Sequence, residues 1–227
     1  MVIDDLFIMN IIKRRIFLGF LSLLFIAPVI AQQTNADSIK VAEDSATSPW
    51  AFAADAYYYI FPAEENILTV LAYVDYNAVH FEARYNYEGR NTASIFTGYR
   101  FETGNKLKFG VTPMLGYVFG DISGVIPAFK LDLAWKKFDF YSESEYVIDL
   151  GGKENNYFYT WSEVAISPFE NFRTGISANR TRLYETGKEL QRGVFAQYSF
   201  WKLTAGVHYF NPFSSDDFVI ATLGIEF

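Results

Sequence analysis

Two histidines, His80 and His208, are all the chain offers for acid–base chemistry near neutral pH. His80 stands in "VHFEARYNYEG", beside Glu82 and Arg84. Period two puts His80, Glu82, Arg84, Asn86 and Glu88 on one face of an extended segment, and Phe81, Ala83, Tyr85 and Tyr87 on the other. A histidine next to a carboxylate is the beginning of a general base. A hydrolytic site also needs a nucleophile in reach and a group that orients the base. No serine pairs with His80 in this pattern. His208, in "TAGVHYFN", shares parity with Thr204 and Gly206, and across the last hairpin it faces Phe218 and Ile220 rather than a carboxylate and a serine. A lipid-modifying enzyme of deacylase or phospholipase type is therefore the alternative, and no catalytic residue is assigned. With no cysteine and two histidines, thiolate and all-histidine metal sites are excluded, and no cofactor is implied.

The remaining composition points elsewhere. Net charge is −7, which leaves no electrostatic footprint for nucleic acid. The aromatic share is 19%, which suits strands and side chains at a membrane interface. Lys13, Arg14 and Arg15 precede "IFLGFLSLLFIAPVIA", too short for a comfortable membrane helix, and Val29 and Ala31 form a cleavage pattern. Residues 1–31 are thus expected to be a signal peptide, and the polar stretch 32–49 a disordered periplasmic leader.

Residues 50–227 carry no long amphipathic helix. Alternating segments are broken by "PAEEN", "EGRN", "GDISG", "GGKENN", "ETGKE" and "NPFSSDD", and between these by the tighter "DYN", "ETGNK", "KK", "SPFEN" and "FWK". Eleven breaks imply about twelve strands of membrane-crossing length, or ten if "DYN" or "KK" is not a turn. An open sheet this aromatic would aggregate through its edges, and in lipid only helices and closed barrels satisfy every backbone polar group. The expected fold is all-β: a closed antiparallel transmembrane β-barrel in the bacterial outer membrane, in contact with outer-membrane lipids.

The chain end agrees. In "FVIATLGIEF", Val219, Ala221, Leu223, Ile225 and Phe227 share one face. This is similar to the terminal signature that outer-membrane barrels present to their insertion machinery, which makes that machinery an expected partner of Phe227. The segments "HFEARYNYEG", "TPMLGYVFGDISGVIPAF", "DFYSESEYVIDL", "FYTWSE" and "RTRLYETGKELQRG" resemble a family of small, functionally uncharacterised bacterial outer-membrane β-barrels, porin-like in kind. The resemblance implies the barrel and its location and carries no site residue.

With the apolar parity facing lipid, the other parity lines a polar lumen. Lys108 and Thr112, Lys130 and Asp132, Asp139, Glu143 and Glu145, and Glu163 with Tyr157, Tyr159 and Trp161 all point inward. Arg180 and Arg182 share the parity of Phe172, Ile176 and Ala178, which should face lipid, and Arg192 poses the same choice. Either a bulge near Ala178 turns them inward, or they reach the headgroups from outside. The bulge is favoured because it delivers cations to the carboxylates. The candidate lumen network is then Glu82, Arg84, Lys130, Asp132, Glu143, Glu145, Glu163, Arg180, Arg182 and Arg192. Such a lumen suits a narrow channel for small solutes or a stiff structural envelope protein. Ser142, Ser144, Thr160 and Ser162 fall on the lipid-facing parity, where they would permit close approach of an envelope protein partner, as in an accessory barrel docked to an envelope complex.

Overall fold

A computed structural model describes residues 48–153, 156–180 and 190–227. The signal peptide, almost all of the leader, the "ETGKE" turn and Arg182 lie outside the described residues. Thirteen strands follow one another: β1 (Trp50–Ile60), β2 (Ile67–Tyr76), β3 (Val79–Tyr85), β4 (Thr92–Tyr99), β5 (Phe101–Thr103), β6 (Leu107–Gly120), β7 (Gly124–Trp135), β8 (Phe138–Asp149), β9 (Tyr157–Phe169), β10 (Phe172–Arg180), β11 (Gln191–Phe200), β12 (Leu203–Phe210) and β13 (Phe218–Glu226). β4 and β5 are two parts of one wall strand. Both pair with β6 in a single register, Gly98 opposite Met114 and Phe101 opposite Val111, and the strand lapses only at Arg100.

Each wall strand pairs antiparallel with its neighbours, and β1 pairs with β13, so the twelve-stranded sheet closes on itself. Closure leaves no edge unpaired. "DYN" and "KK" are both turns: Asn77 and Lys136 adopt left-handed φ of 52° and 56°. The ten-strand alternative therefore falls away. The tight turns gather at one end with both ends of the sheet, and the longer connections gather at the other.

The alternation explains the wall. Phe81, Tyr85, Ile95, Leu115, Phe129 and Val164 are exposed on the outside of the wall. Trp50, Tyr76, Tyr99, Trp135, Phe138, Phe169, Phe200 and Trp201 form an exposed aromatic girdle at the tight-turn end. Among the described residues, no helix is long and apolar enough to cross a membrane.

Two inward assignments change. Tyr87 does not continue the outward row of Phe81 and Tyr85. Asn86 turns the chain with φ of 56°, and its side chain accepts from Asn91 N and donates to Leu68 O, so Asn86 belongs to the turn and Tyr87 swings inside. Nor is the interior polar throughout. Tyr59, Phe61, Ile67, Val118, Ile126, Val147, Phe210, Phe218 and Ile220 pack into an apolar core at the long-turn end. Their inward parity is the same as that of the charges, but the residues that occupy it near this rim are aromatic and aliphatic.

Candidate functional site

The charged residues meet below that core. β3 places Glu82 and Arg84 on its inner face, β7 places Lys130, and β8 places Glu143 and Glu145. Arg84 Nε donates to Glu82 Oε1 at 2.7 Å, and Nη1 donates to Glu145 Oε2 at 2.7 Å. Nη2 lies 2.8 Å from Glu143 Oε1, an ion pair poorly aligned for a hydrogen bond. Lys130 Nζ donates to Glu82 Oε2 at 2.6 Å and stands 3.9 Å from Glu143. Tyr141 Oη donates to the other Glu143 oxygen at 2.9 Å. β3 and β8 are separated along the wall by β4, β6 and β7, so the contacts of Arg84 with Glu143 and Glu145 run across the interior rather than along it.

A guanidinium can do this because its five donors fan out in one plane and meet carboxylates on several sides. Its faces are used as well: Arg84 stands over the rings of Phe96 and Tyr87, 4.1 and 4.4 Å from their centres. Glu88, in the outer turn, accepts from Ser94 Oγ at 2.7 Å and from Arg84 at 3.4 Å. Burial pushes the Glu88 carboxyl above the usual carboxylate range, with Arg84 and Ser94 opposing the shift. Arg84 and its carboxylates are each 3% exposed or less, so the whole cluster is buried away from solvent.

Toward the tight-turn end, His80 extends the chain of contacts. Its Nδ1 is 2.5 Å from Asp75 Oδ1 and its Nε2 is 3.2 Å from Glu82. Asp75 also faces Arg100 at 3.6 Å. Asp132 lies on the inner face of β7, buried, two residues from Lys130.

Glu163 belongs to a second cluster. Arg173, on β10, donates to it at 2.6 Å, to Asp139 at 2.5 Å and to Gln197 at 2.9 Å, and Trp161 Nε1 donates to Glu163 at 2.9 Å. His208 stacks on Phe195 at 5.0 Å, with Nε2 4.0 Å from Glu163. Among the described residues, neither histidine meets a serine hydroxyl. Arg173 and Asp75 were not among the expected network residues. The parity of Phe172 and Ile176, which assigns Arg180 to the outside, assigns Arg173 to the inside.

Arg180 and Arg192 are not brought to the lumen. The only register shift in β10 lies between Phe172 and Thr174. Beyond it Ala178 stays opposite Ser162 and Arg192, and Arg180 opposite Thr160. Asn179 and Gln191 take the buried inner positions, so both arginines point outward. No bulge forms at Ala178, and the cation beside Glu163 is Arg173. The outward hydroxyls satisfy one another across β8 and β9: Ser142 with Ser162 at 2.9 Å, and Ser144 with Thr160 at 3.0 Å.

No family model and no curated protein matches the chain. Among solved structures it is similar to the KdgM porin, with a TM-score of 0.56 and 10% identity over 77% of this chain and 99% of that one. A structure of the KdgM porin in complex with disordered oligogalacturonate gives a TM-score of 0.57 with the same identity and coverage. At 10% identity such likeness speaks to architecture, and with the pairing above it identifies the chain as a closed, twelve-stranded antiparallel β-barrel with the porin fold.

Proposed function

We propose that the protein is an outer-membrane barrel whose lumen is a narrow passage for small solutes, held shut at mid-depth by the Arg84 latch. The carrying observation is that Arg84 on β3 bonds to Glu145 on β8 across the interior, at 2.7 Å and out of contact with water. The porin fold, the lipid-facing aromatic wall and the basic–apolar N-terminal run support the membrane and the location. Solute passes only when the latch parts.

The inner surface also suggests which solutes. Asp55, Asp75, Glu82, Asp132, Asp139, Glu143, Glu145 and Glu163, with Glu88 in the turn after β3, stand against Arg84, Arg100, Lys108, Lys130 and Arg173, nine carboxylates against five cations. Such a field attracts cations and repels polyanions. Oligogalacturonate, seen with the KdgM porin, is a polyanion, and this lumen disfavours that cargo.

Planar-bilayer recording tests the latch. Arg84→Gln with Glu145→Gln removes the cross-lumen ion pair, while Glu82 keeps Lys130 and Glu143 and Glu88 keep their hydroxyl donors Tyr141 and Ser94. Wild-type barrel is expected to stay closed for most of the record, and the double variant to raise the time-averaged conductance about tenfold, with heat-modifiable gel migration as the check on folding. A folded double variant as tight as wild type would make the barrel structural rather than conducting. A steady, large wild-type conductance would sink the shut state.

A further inference from the structure

We propose that the outer wall carries a binding site for the phosphate of an anionic membrane lipid, built on Arg180 and Arg192. Both side chains take the outward parity, at the long-turn ends of β10 and β11. Arg192 opposes Ala178, and Arg180 lies two residues further along the same strand, so the arginines are diagonal neighbours on paired strands. That places their Cβ atoms on the order of 7–8 Å apart, within reach of one tetrahedral anion for side chains this long. Ala178 between them is too short to fill the gap.

The register neighbours on this face are Thr160, Ile176 and Val194 as well as Ala178, none of them acidic. Among the described residues of β9, β10 and β11, the wall supplies no carboxylate beside the two guanidiniums on their own face; on β12, Tyr209, opposite Val194, donates to Asp217 at 2.6 Å. A cation facing hydrocarbon is unfavourable, whereas at headgroup depth a guanidinium meets phosphate bidentately. Toward mid-membrane, Ile176 and Val194 are exposed and offer an apolar track for the acyl chains of the same lipid. Cationic groups at the rim with apolar groups below match the order of phosphate and hydrocarbon in a lipid leaflet.

The site rests on the membrane reading of the barrel but not on the shut lumen. Native mass spectrometry of the detergent-purified barrel tests it with diphosphoryl lipid A, its dephosphorylated form and inorganic phosphate. Wild type is expected to retain diphosphoryl lipid A at concentrations about tenfold below those needed by Arg180→Gln/Arg192→Gln. The dephosphorylated lipid should not distinguish the two proteins, and millimolar phosphate should not displace the lipid. Equal retention by a folded double variant overturns the site, as does equal binding of the dephosphorylated lipid to wild type. Displacement by inorganic phosphate overturns the lipid as its ligand. The variant should keep wild-type conductance, so loss of lipid retention and failure of the latch are read separately.

Discussion

At the scale of single residues, the interior is ordered by which charge has a partner. Glu163 and Asp139 share Arg173, which they hold at 2.6 and 2.5 Å, and all three side chains are at most 16% exposed. Removing one member of such a buried unit leaves uncompensated charge and costs about 3–5 kcal/mol. Arg173→Ala is therefore expected to lose about that much stability in urea unfolding in lipid or detergent. Arg192→Ala, at an exposed outward position, should change it by less than about 0.5 kcal/mol. Equal effects of the two substitutions would show that Arg173 is not the keystone of its cluster. Alternation alone places Glu82, Arg84, Lys130, Glu143, Glu145 and Glu163 on the inner face. What it does not single out is the partner, since parity says which side a residue faces and not whom it meets there. Period two places Arg173 on the inner parity of β10 as well, opposite in facing to Phe172 and Ile176.

At the scale of strands, turns and alternation carry the fold almost unaided, because each hairpin is a local event. The exceptions are local too. Asn86 ends the alternation of β3 one residue before Tyr87, and no pattern of period two anticipates a left-handed residue there. Close packing between strands is equally silent in the sequence. A Cβ on Gly116 of β6 would fall 2.4 Å from the ring of Phe96 on the paired β4, and that ring lies beneath the Arg84 guanidinium. Gly116→Ala must move Phe96, an overpacking worth about 1–3 kcal/mol, and with it the platform of the latch. The expected result is a barrel that unfolds earlier in urea and opens more often in bilayers than wild type. Loss of stability with wild-type gating would uncouple Phe96 from the latch.

At the scale of the whole molecule, strand number leaves the state of the lumen open. Eight strands are filled by their own side chains and sixteen leave an aqueous channel, and twelve lie between. The interior is filled at two levels by different side chains, aromatic and aliphatic groups toward the long-turn end and Arg84 with its carboxylates below them. That β3 should face β8 across the interior depends on circumference and strand tilt together, which no local stretch of sequence encodes. Once the latch is neutralised in Arg84→Gln/Glu145→Gln, eight inner carboxylates oppose four cations, and the field of the open passage stays negative. In a potassium chloride gradient this variant should show a reversal potential of the sign set by potassium. A chloride-selective current would mean that ions pass by a route the inner charges do not line.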